Sequence, residues 1–267
     1  MRLSCQEHLI PGRDLVEKWE LVSAAGYDGI ELHGHGDFGF RERLDELRTA
    51  RSAGAVMPTV CVIMDHFIGD FDEFRRRDAI ENMKSLLSVI ADIGGTGAIT
   101  PASYGMFSRR LPPYEPPRTQ EEDREVLLAA LAELGEHASR EGVSVFLEPL
   151  NRYEDHMVNR LEQAVSLCAE AGSNALEVMG DTFHMNIEED DPPAAIRAAA
   201  ERLAHVHLSD SNRAHPGSGH FDFASTLVVL KEIDFDGYMA LECAIRGEPK
   251  AVLTGVASYV QRGGREA

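Results

Sequence analysis

Cysteine is scarce in this chain of 267 residues, which has only four. No two of the four form a Cys-x-x-Cys pair, and a chain of this length can bury a stable core without disulfide bonds. We therefore exclude a disulfide scaffold and expect reduced thiols, mostly in the core of a cytoplasmic protein. The four are Cys5, Cys61, Cys168 and Cys243.

Long apolar runs are absent as well. No segment approaches the roughly 18 uninterrupted apolar residues that a membrane-spanning helix needs. The first residues, MRLSCQEHLIPG, contain one arginine and lack the apolar stretch of a secretion signal. We expect neither export nor insertion into a membrane.

Basic residues are outnumbered by acidic ones. The chain has 26 Lys and Arg against 45 Asp and Glu, which gives a formal net charge of -19. This charge repels the phosphate groups on which nucleic-acid binding chiefly depends. We therefore expect no nucleic-acid partner and no membrane partner, whereas binding of cations is favoured.

Short β-type runs alternate with segments that carry apolar residues at helical spacing, such as Leu15, Trp19 and Val22. No G-x-G-x-x-G follows the first run, and no linker rich in Gly and Ser divides the chain. Eight strands alternating with helices in about 250 residues are typical of a barrel. The expected fold class is α/β, a single (β/α)8 TIM barrel, with residues 1–267 as one domain. The predicted strands are residues 3–8, 29–33, 58–63, 97–102, 143–148, 176–181, 204–209 and 238–242.

Side chains that bind metals stand at or near the ends of the last four predicted strands. Because neighbouring strands of a closed barrel end around one mouth, these side chains are expected to share one coordination shell. If they did not converge, they would be solvated loop carboxylates and a core histidine. Three carboxylates and one imidazole suit one divalent ion, with Mn2+ preferred and Mg2+, Co2+ or Zn2+ as other options. The predicted ligands are Glu148, Asp181, His207 and Glu242.

Further polar side chains follow three of these strands. Glu154, His184 and Arg213 lie three to six residues beyond the predicted ligands. We expect them to contact the substrate, and the alternative is that they are exposed loop residues. His8 and Glu31, near the ends of strands one and two, can either hydrogen-bond substrate hydroxyl groups or be structural.

Two predicted connections are longer than simple turns. They are residues 64–72 after strand three and residues 103–120 after strand four, the latter with the segment LPPYEPP. Loops at the C-terminal ends of barrel strands shape access to the site. The two connections are therefore either lids over the substrate or ordinary packed loops.

Four segments of the C-terminal half form a long, ordered match to one known family: EPLNRYE at 148–154, GDTFHMNIEE at 180–189, HVHLSDSNR at 205–213 and PGSGHFDF at 216–223. They resemble the xylose isomerase-like TIM-barrel superfamily and are nearest to ketose 3-epimerases of the D-tagatose and D-psicose type. The N-terminal half is similar mainly in general layout, including YDGIELHG at 27–34. LECAIRG at 241–247 and the loop after strand four depart from the epimerase pattern. These departures bear on the predicted substrate more than on the predicted metal site.

The resemblance implies a metal-dependent sugar epimerase, most closely a ketose 3-epimerase, that acts through a metal-stabilised enediolate. Such an enzyme needs two bases on opposite faces of the substrate and an electrophile on its oxygens. Glu148 and Glu242, on strands three apart, are the predicted catalytic pair. The resemblance gives the same four ligands for one divalent ion, and the same three sugar contacts, Glu154, His184 and Arg213.

Other reactions on this scaffold stay open. An aldose-ketose or hydroxypyruvate-type isomerase would use the same groups, and an inosose or dehydroshikimate-type dehydratase would add a general acid. An endonuclease IV-like phosphodiesterase would need more zinc ligands, for which Glu31, His33 and His66 are candidates, and the net charge argues against it. A noncatalytic sugar-binding module would not need two carboxylates beside one ion. The expected partner is a small sugar or hydroxy-carbonyl compound, and the quaternary state, including a homo-oligomer, is open.

Overall fold

A computed structural model of the chain describes residues 1–108, 112 and 115–265. In these residues eight parallel strands close into one barrel in sequence order, from β1 through β8 and back to β1. The predicted fold class, a single (β/α)8 TIM barrel, is therefore confirmed. The strands are β1 (Arg2–Gln6), β2 (Gly29–His35), β3 (Thr59–Ile63), β4 (Gly97–Pro101), β5 (Ser144–Glu148), β6 (Leu176–Asp181), β7 (Leu203–Leu208) and β8 (Tyr238–Leu241).

The eight predicted strands are all present, and their ends differ from the prediction by two residues at most. The largest differences are in the first two strands. Strand β1 stops at Gln6 because Glu7–Leu9 turn into a short 3-10 helix, so His8 lies in that turn. Strand β2 instead continues to His35. Glu242 is the first residue after β8.

Helices surround the barrel, and local sequence signals explain where several of them begin. The Asp72 side chain accepts a hydrogen bond from the Arg75 amide and starts α4. Thr119 and Glu122 form a capping box at the start of α5. The helices are α1 (Leu15–Ala25), α2 (Gly39–Glu42), α3 (Leu44–Ser52), α4 (Glu73–Asp92), α5 (Gln120–Glu141), α6 (Leu161–Ala171), α7 (Thr182–Glu188), α8 (Pro192–Ala198), α9 (Phe223–Glu232) and α10 (Pro249–Gln261).

The inside of the barrel is divided into an apolar layer and a polar layer. A small cluster of buried side chains, separate from the main core, includes Phe146 and Met179. Each stands two residues before a carboxylate, Glu148 on β5 or Asp181 on β6. Because residues two apart face the same side of a strand, these carboxylates also point into the barrel, above the apolar layer. The last inward-facing residues of β5 and β6 are therefore carboxylates, and they lie at the C-terminal mouth of the barrel.

The four cysteines are free and buried, as predicted. In the described part of the chain, no helix is both long enough and apolar enough to cross a membrane.

Candidate metal centre and its surroundings

Four metal-ligand side chains meet at the C-terminal mouth of the barrel. They come from four neighbouring strands, β5 to β8, so they line one side of the ring. Three are buried, and the fourth, on β8, keeps 20% of its side-chain exposure. The structure therefore brings together the residues that the sequence predicts at one mouth. Their ligand atoms all lie within 4.8 Å of one another, and the residues are Glu148, Asp181, His207 and Glu242.

A nitrogen at the centre of this cluster is buried without a hydrogen bond. Nδ1 of His207 lies 3.1 Å from Oε2 of Glu242 and 3.6 Å from Oε1 of Glu148. Oδ2 of Asp181 is 4.0 Å away. No partner meets hydrogen-bond geometry with this nitrogen among the described residues. A buried nitrogen of this kind is costly by itself, and three carboxylates beside it suit one divalent cation with oxygen and nitrogen ligands.

The other ring nitrogen of His207 faces a glutamate deeper in the barrel. Nε2 lies 2.8 Å from Oε1 of Glu31 on β2. The same carboxylate accepts hydrogen bonds from the Thr59 hydroxyl at 2.7 Å and from the Gln6 amide at 3.1 Å. Nε2 of His205 lies 2.8 Å from Oε2, the second carboxylate oxygen of Glu31. Glu31 is completely buried, which leaves no surface for the substrate contact considered from the sequence.

Burial and the neighbouring charges shift the pKa values of the two glutamates and of His207 in the cluster. Burial raises the pKa of Glu148. Burial would also raise the pKa of Glu242, but the charges of His207 and Arg213 outweigh it and hold that pKa well below its ordinary value. Burial would lower the pKa of His207, but the carboxylates of Glu242 and Glu31 raise it well above its ordinary value. The surroundings of Nδ1 therefore favour positive charge.

Arg213 lies directly against the cluster. Its guanidinium donates hydrogen bonds to Oδ2 of Asp181 and, at 2.7 Å, to Oε2 of Glu242. The same group lies 4.8 Å from the centre of the Phe183 ring. The backbone of Arg213 has a positive φ of 57° in a turn where its N–H donates to the carbonyl of Asp210. This turn directs the guanidinium into the mouth.

His184 presents one nitrogen to the same site. It lies on α7, whose first turn is capped by the side chain of Asp181. Nδ1 accepts a hydrogen bond from the Asn151 backbone amide at 3.1 Å, which leaves the ring proton on Nε2. Nε2 lies 3.8 Å from Asp181 Oδ2 and 3.9 Å from Glu154 Oε2. His184 and Glu154 thus face each other beside the cluster.

Two neighbouring imidazoles stand above Gln6, next to Glu242. Nδ1 of His8 is 3.0 Å from Nε2 of His33. Gln6 connects this pair to the cluster, because its amide donates to Glu242 Oε1 at 3.0 Å and its oxygen lies 3.4 Å from His33 Nε2. Burial lowers the pKa of both histidines, so they are neutral at pH 7. The pair extends the polar mouth toward β1 and β2.

Two of the three further zinc-ligand candidates from the sequence, His33 and His66, make other contacts and belong to neither metal-capable group of the described residues. His66 pairs with Asp78 at 2.7 Å, and His33 contacts His8. Of the three candidates, Glu31 alone belongs to a metal-capable group in the described ranges, together with His205 and His207. Four further residues of this site were not predicted from the sequence: His205, Gln6, Thr59 and Asn151. For His205 a signal was present, because the alternation in HVH at 205–207 indicates that His205 and His207 face the same side.

The two long connections touch each other where they are described. Arg118 donates hydrogen bonds to the carbonyls of Gly69 and Asp70. The Gly105 amide donates to the carbonyl of Glu154 at 2.8 Å, which ties the loop after β4 to a predicted substrate residue. Part of the segment LPPYEPP, residues 111, 113 and 114, lies outside the described residues. The contacts place the described ends of both loops beside the mouth.

We expect the loop after β4 to set substrate preference. Replacing residues 106–118 with the corresponding loop of a relative should change the ratio of kcat/KM between two sugars and leave the Mn2+ affinity unchanged, because none of the four ligands lies in the exchanged segment. If substrate preference instead follows an exchange of residues 243–246 after β8, the lid interpretation is wrong.

A cavity of about 650 Å3 lies between α5 and α6, away from the cluster. Its lining includes Asp123 and His156, and it contains none of the four clustered residues. This cavity is therefore distinct from the cluster.

Fold and cluster together define a (β/α)8-barrel protein with a candidate divalent-metal centre at the C-terminal ends of its strands. A family profile described as a xylose isomerase-like TIM barrel matches residues 19–260. The chain belongs to the xylose isomerase-like TIM-barrel family, and the resemblance predicted from the sequence is confirmed.

Similar proteins are named as sugar epimerases. The 3-dehydro-D-guloside 4-epimerase of Escherichia coli K12 is 36% identical over 252 residues, which cover 94% of this chain and 95% of the relative. The D-psicose 3-epimerase of Enterocloster bolteae is 32% identical over 240 residues, which cover 86% of this chain and 76% of that protein. A crystal structure of 3-keto-D-glucoside 4-epimerase from E. coli superimposes with a TM-score of 0.92 at 34% identity and covers 98% of this chain and 99% of the other.

Proposed function

We propose that the protein is a metal-dependent sugar epimerase that removes a proton from a carbon next to a carbonyl group and returns one on the opposite face. The observation that carries the proposal is the pair of carboxylates Glu148 and Glu242, which approach the same nitrogen of His207 from strands three apart. Relatives that match most of the chain and are named as epimerases support it.

Glu148 and Glu242 are the proposed catalytic pair, one on each face of the substrate. A bound ion supplies Lewis acidity, which stabilises negative charge on the substrate oxygens. We take Mn2+ as the first ion to test, followed by Mg2+, Co2+ and Zn2+, because the donor set is mainly oxygen. The residues proposed to hold the ion are Glu148, Asp181, His207 and Glu242.

His184, Arg213 and Glu154 are the proposed substrate contacts. The Nε2 proton of His184 and the guanidinium of Arg213 are hydrogen-bond donors beside the cluster, and they would orient carbonyl and hydroxyl oxygens. Glu154 keeps 35% of its side-chain exposure and would accept a hydrogen bond from a hydroxyl group.

The substrate class has two candidates that need the same chemistry. Epimerisation of a 3-keto glycoside at C4 is the first to test, because the E. coli 4-epimerase matches nearly the full length of both chains. Epimerisation of a free ketose at C3 is the second, because D-psicose 3-epimerases are among the relatives and the motifs at 148–154 and 205–213 resemble that group. In both reactions the proton leaves a carbon beside a ketone.

The test is a substrate panel with Mn2+-loaded protein, analysed by NMR of the products. The panel contains a 3-keto-D-glucoside, D-psicose, D-tagatose, an aldose, hydroxypyruvate and a keto-inositol. We expect a change of configuration at the carbon beside the ketone in one of the first three. Aldose-ketose interconversion, or loss of water, without any epimer would contradict the proposal and indicate an isomerase or a dehydratase.

The imidazole pair beside Glu242 is proposed to bind substrate hydroxyl groups. Each neutral ring leaves one nitrogen for a ligand, so His8→Phe should raise KM by about 2- to 13-fold, the value of one net hydrogen bond, with little change in kcat. His35→Phe is the matched control, because His35 is an exposed histidine on the same strand as His33. If both variants have the same KM, the pair does not contact the substrate.

The domain extent and the compartment stay predictions. We propose one domain over residues 1–267 and a cytoplasmic protein, and the four buried free thiols support the reducing compartment.

A further inference from the structure

We propose that Glu31 is a positioning residue for the metal centre. Its carboxylate takes the hydrogen bond from Nε2 of His207, so that Nδ1 is the nitrogen presented to the ion. The inference rests on the proposed function, because it assumes that His207 is a ligand. It extends that function to a residue on the opposite side of the barrel, 176 positions away in the chain.

The contacts of Glu31 fix its carboxylate from both sides. One oxygen lies 2.8 Å from His207 Nε2 and 3.1 Å from the Gln6 amide. The other lies 2.7 Å from the Thr59 hydroxyl and 2.8 Å from His205 Nε2. The Gln6 amide and the Thr59 hydroxyl donate one hydrogen bond to each oxygen, and His207 Nε2 donates a second to Oε1 when its ring proton is on that nitrogen. The carboxylate therefore has no need of water or of a substrate group. It is a rigid acceptor under the ligand histidine.

This arrangement decides which nitrogen of His207 carries the proton. A neutral imidazole has one N–H and one lone pair, and the hydrogen bond to a carboxylate selects the position of the N–H. With the proton on Nε2, the lone pair of Nδ1 points toward Glu148, Asp181 and Glu242. The negative charge of Glu31 also makes the ring a stronger donor to a cation. Glu31 thereby acts on the ion through His207 without touching it.

A second ion between Glu31, His205 and His207 is the competing interpretation, since these ligand atoms also lie within 4.8 Å of one another. The hydrogen bonds from Thr59 and Gln6 already occupy both oxygens of Glu31. The geometry therefore favours one ion on the Nδ1 side and a hydrogen bond on the Nε2 side. The two interpretations differ in the number of ions bound per chain.

The first test measures Mn2+ affinity by calorimetry in the full chain. We expect one ion per chain in the wild type and a dissociation constant about 10- to 100-fold higher in Glu31→Gln, which keeps the size but removes the charge. Asp155→Asn is the matched control, because Asp155 is another fully buried, hydrogen-bonded carboxylate outside the cluster. The Asp155→Asn protein should be less stable than the wild type but should bind Mn2+ with the same affinity. Equal affinity in wild type and Glu31→Gln, or an equal loss in the control, would overturn the proposal.

The second test needs no variant of Glu31 and so does not depend on its folding. In Mg2+-loaded protein labelled with 15N-histidine, we expect His207 to carry a slowly exchanging proton on Nε2, with the Nδ1 resonance shifted by the ion. A proton on Nδ1, or two ions per chain, would contradict the positioning role even where the metal site is correct. A wild type that binds no ion would contradict the proposed function itself.

Discussion

We expect Glu148→Gln and Glu242→Gln each to slow proton transfer by about 10²- to 10⁴-fold, the range for loss of a general base. Glutamine keeps the size of the side chain and one oxygen that can bind a metal ion, but it cannot accept a proton at neutral pH. The two carboxylates come from β5 and β8 and approach His207 Nδ1 at 3.6 and 3.1 Å. Both carboxylates therefore lie at the cluster, and the proposed two-base mechanism assigns one of them to each face of the substrate.

The two variants should differ in which stereoisomer they affect. Under the two-base mechanism, each glutamate removes the proton from one epimer, so each variant should suppress solvent exchange from one epimer more than from the other. Because both residues are also proposed ligands, the comparison uses protein shown to be saturated with Mn2+. Equal exchange from both epimers in metal-replete variants would contradict two bases and favour a single carboxylate that moves the proton on one face.

Metal binding should collapse when a ligand is removed from the cluster. Asp181→Asn removes both a donor oxygen and a negative charge, and we expect Mn2+ affinity to fall by more than about 100-fold. His207→Ala should also lower the Mn2+ affinity by more than about 100-fold, because it removes the proposed nitrogen ligand at the centre of the cluster. The measurement is metal content after dialysis, together with calorimetric titration of the apoprotein.

A matched control for metal loss is Asp210→Asn. Asp210 is another buried aspartate in the segment after β7, where its carboxylate accepts hydrogen bonds from backbone amides such as those of Gly217 and Phe221. We expect it to lose stability and keep its ion. Unchanged metal content in both Asp181→Asn and His207→Ala would place the ion elsewhere.

The barrel was predictable because each strand carries its own local signal. Runs such as VSVFLE at 143–148 are short, β-branched or aromatic, and bounded by helical segments, and eight of them leave little choice of fold. Errors were confined to strand ends. At β1 the backbone turns into a 3-10 helix after Gln6, and no residue type in QEHL marks that change.

The convergence of the four proposed ligands was predictable for a different reason, since strand ends in a closed barrel converge whatever the sequence between them. The hydrogen bonds of Glu31 beneath these residues were not predictable. The contact between Glu31 and His207 joins β2 to β7 across the barrel interior, and its partners Gln6 and Thr59 come from two further strands. Such contacts depend on strand register and layer height, which one sequence does not reveal. For the same reason, the sequence did not indicate that His33 contacts His8 or that His66 pairs with Asp78.

The position of solvent deuterium in the product of Mn2+-loaded wild-type protein in D2O tests the proposed epimerisation most directly. Two-base epimerisation should give an epimerised sugar with one deuterium on the inverted carbon beside the ketone, because the second base delivers a proton exchanged with solvent. Inversion without deuterium, or deuterium only on a terminal carbon of an isomerised sugar, would contradict it.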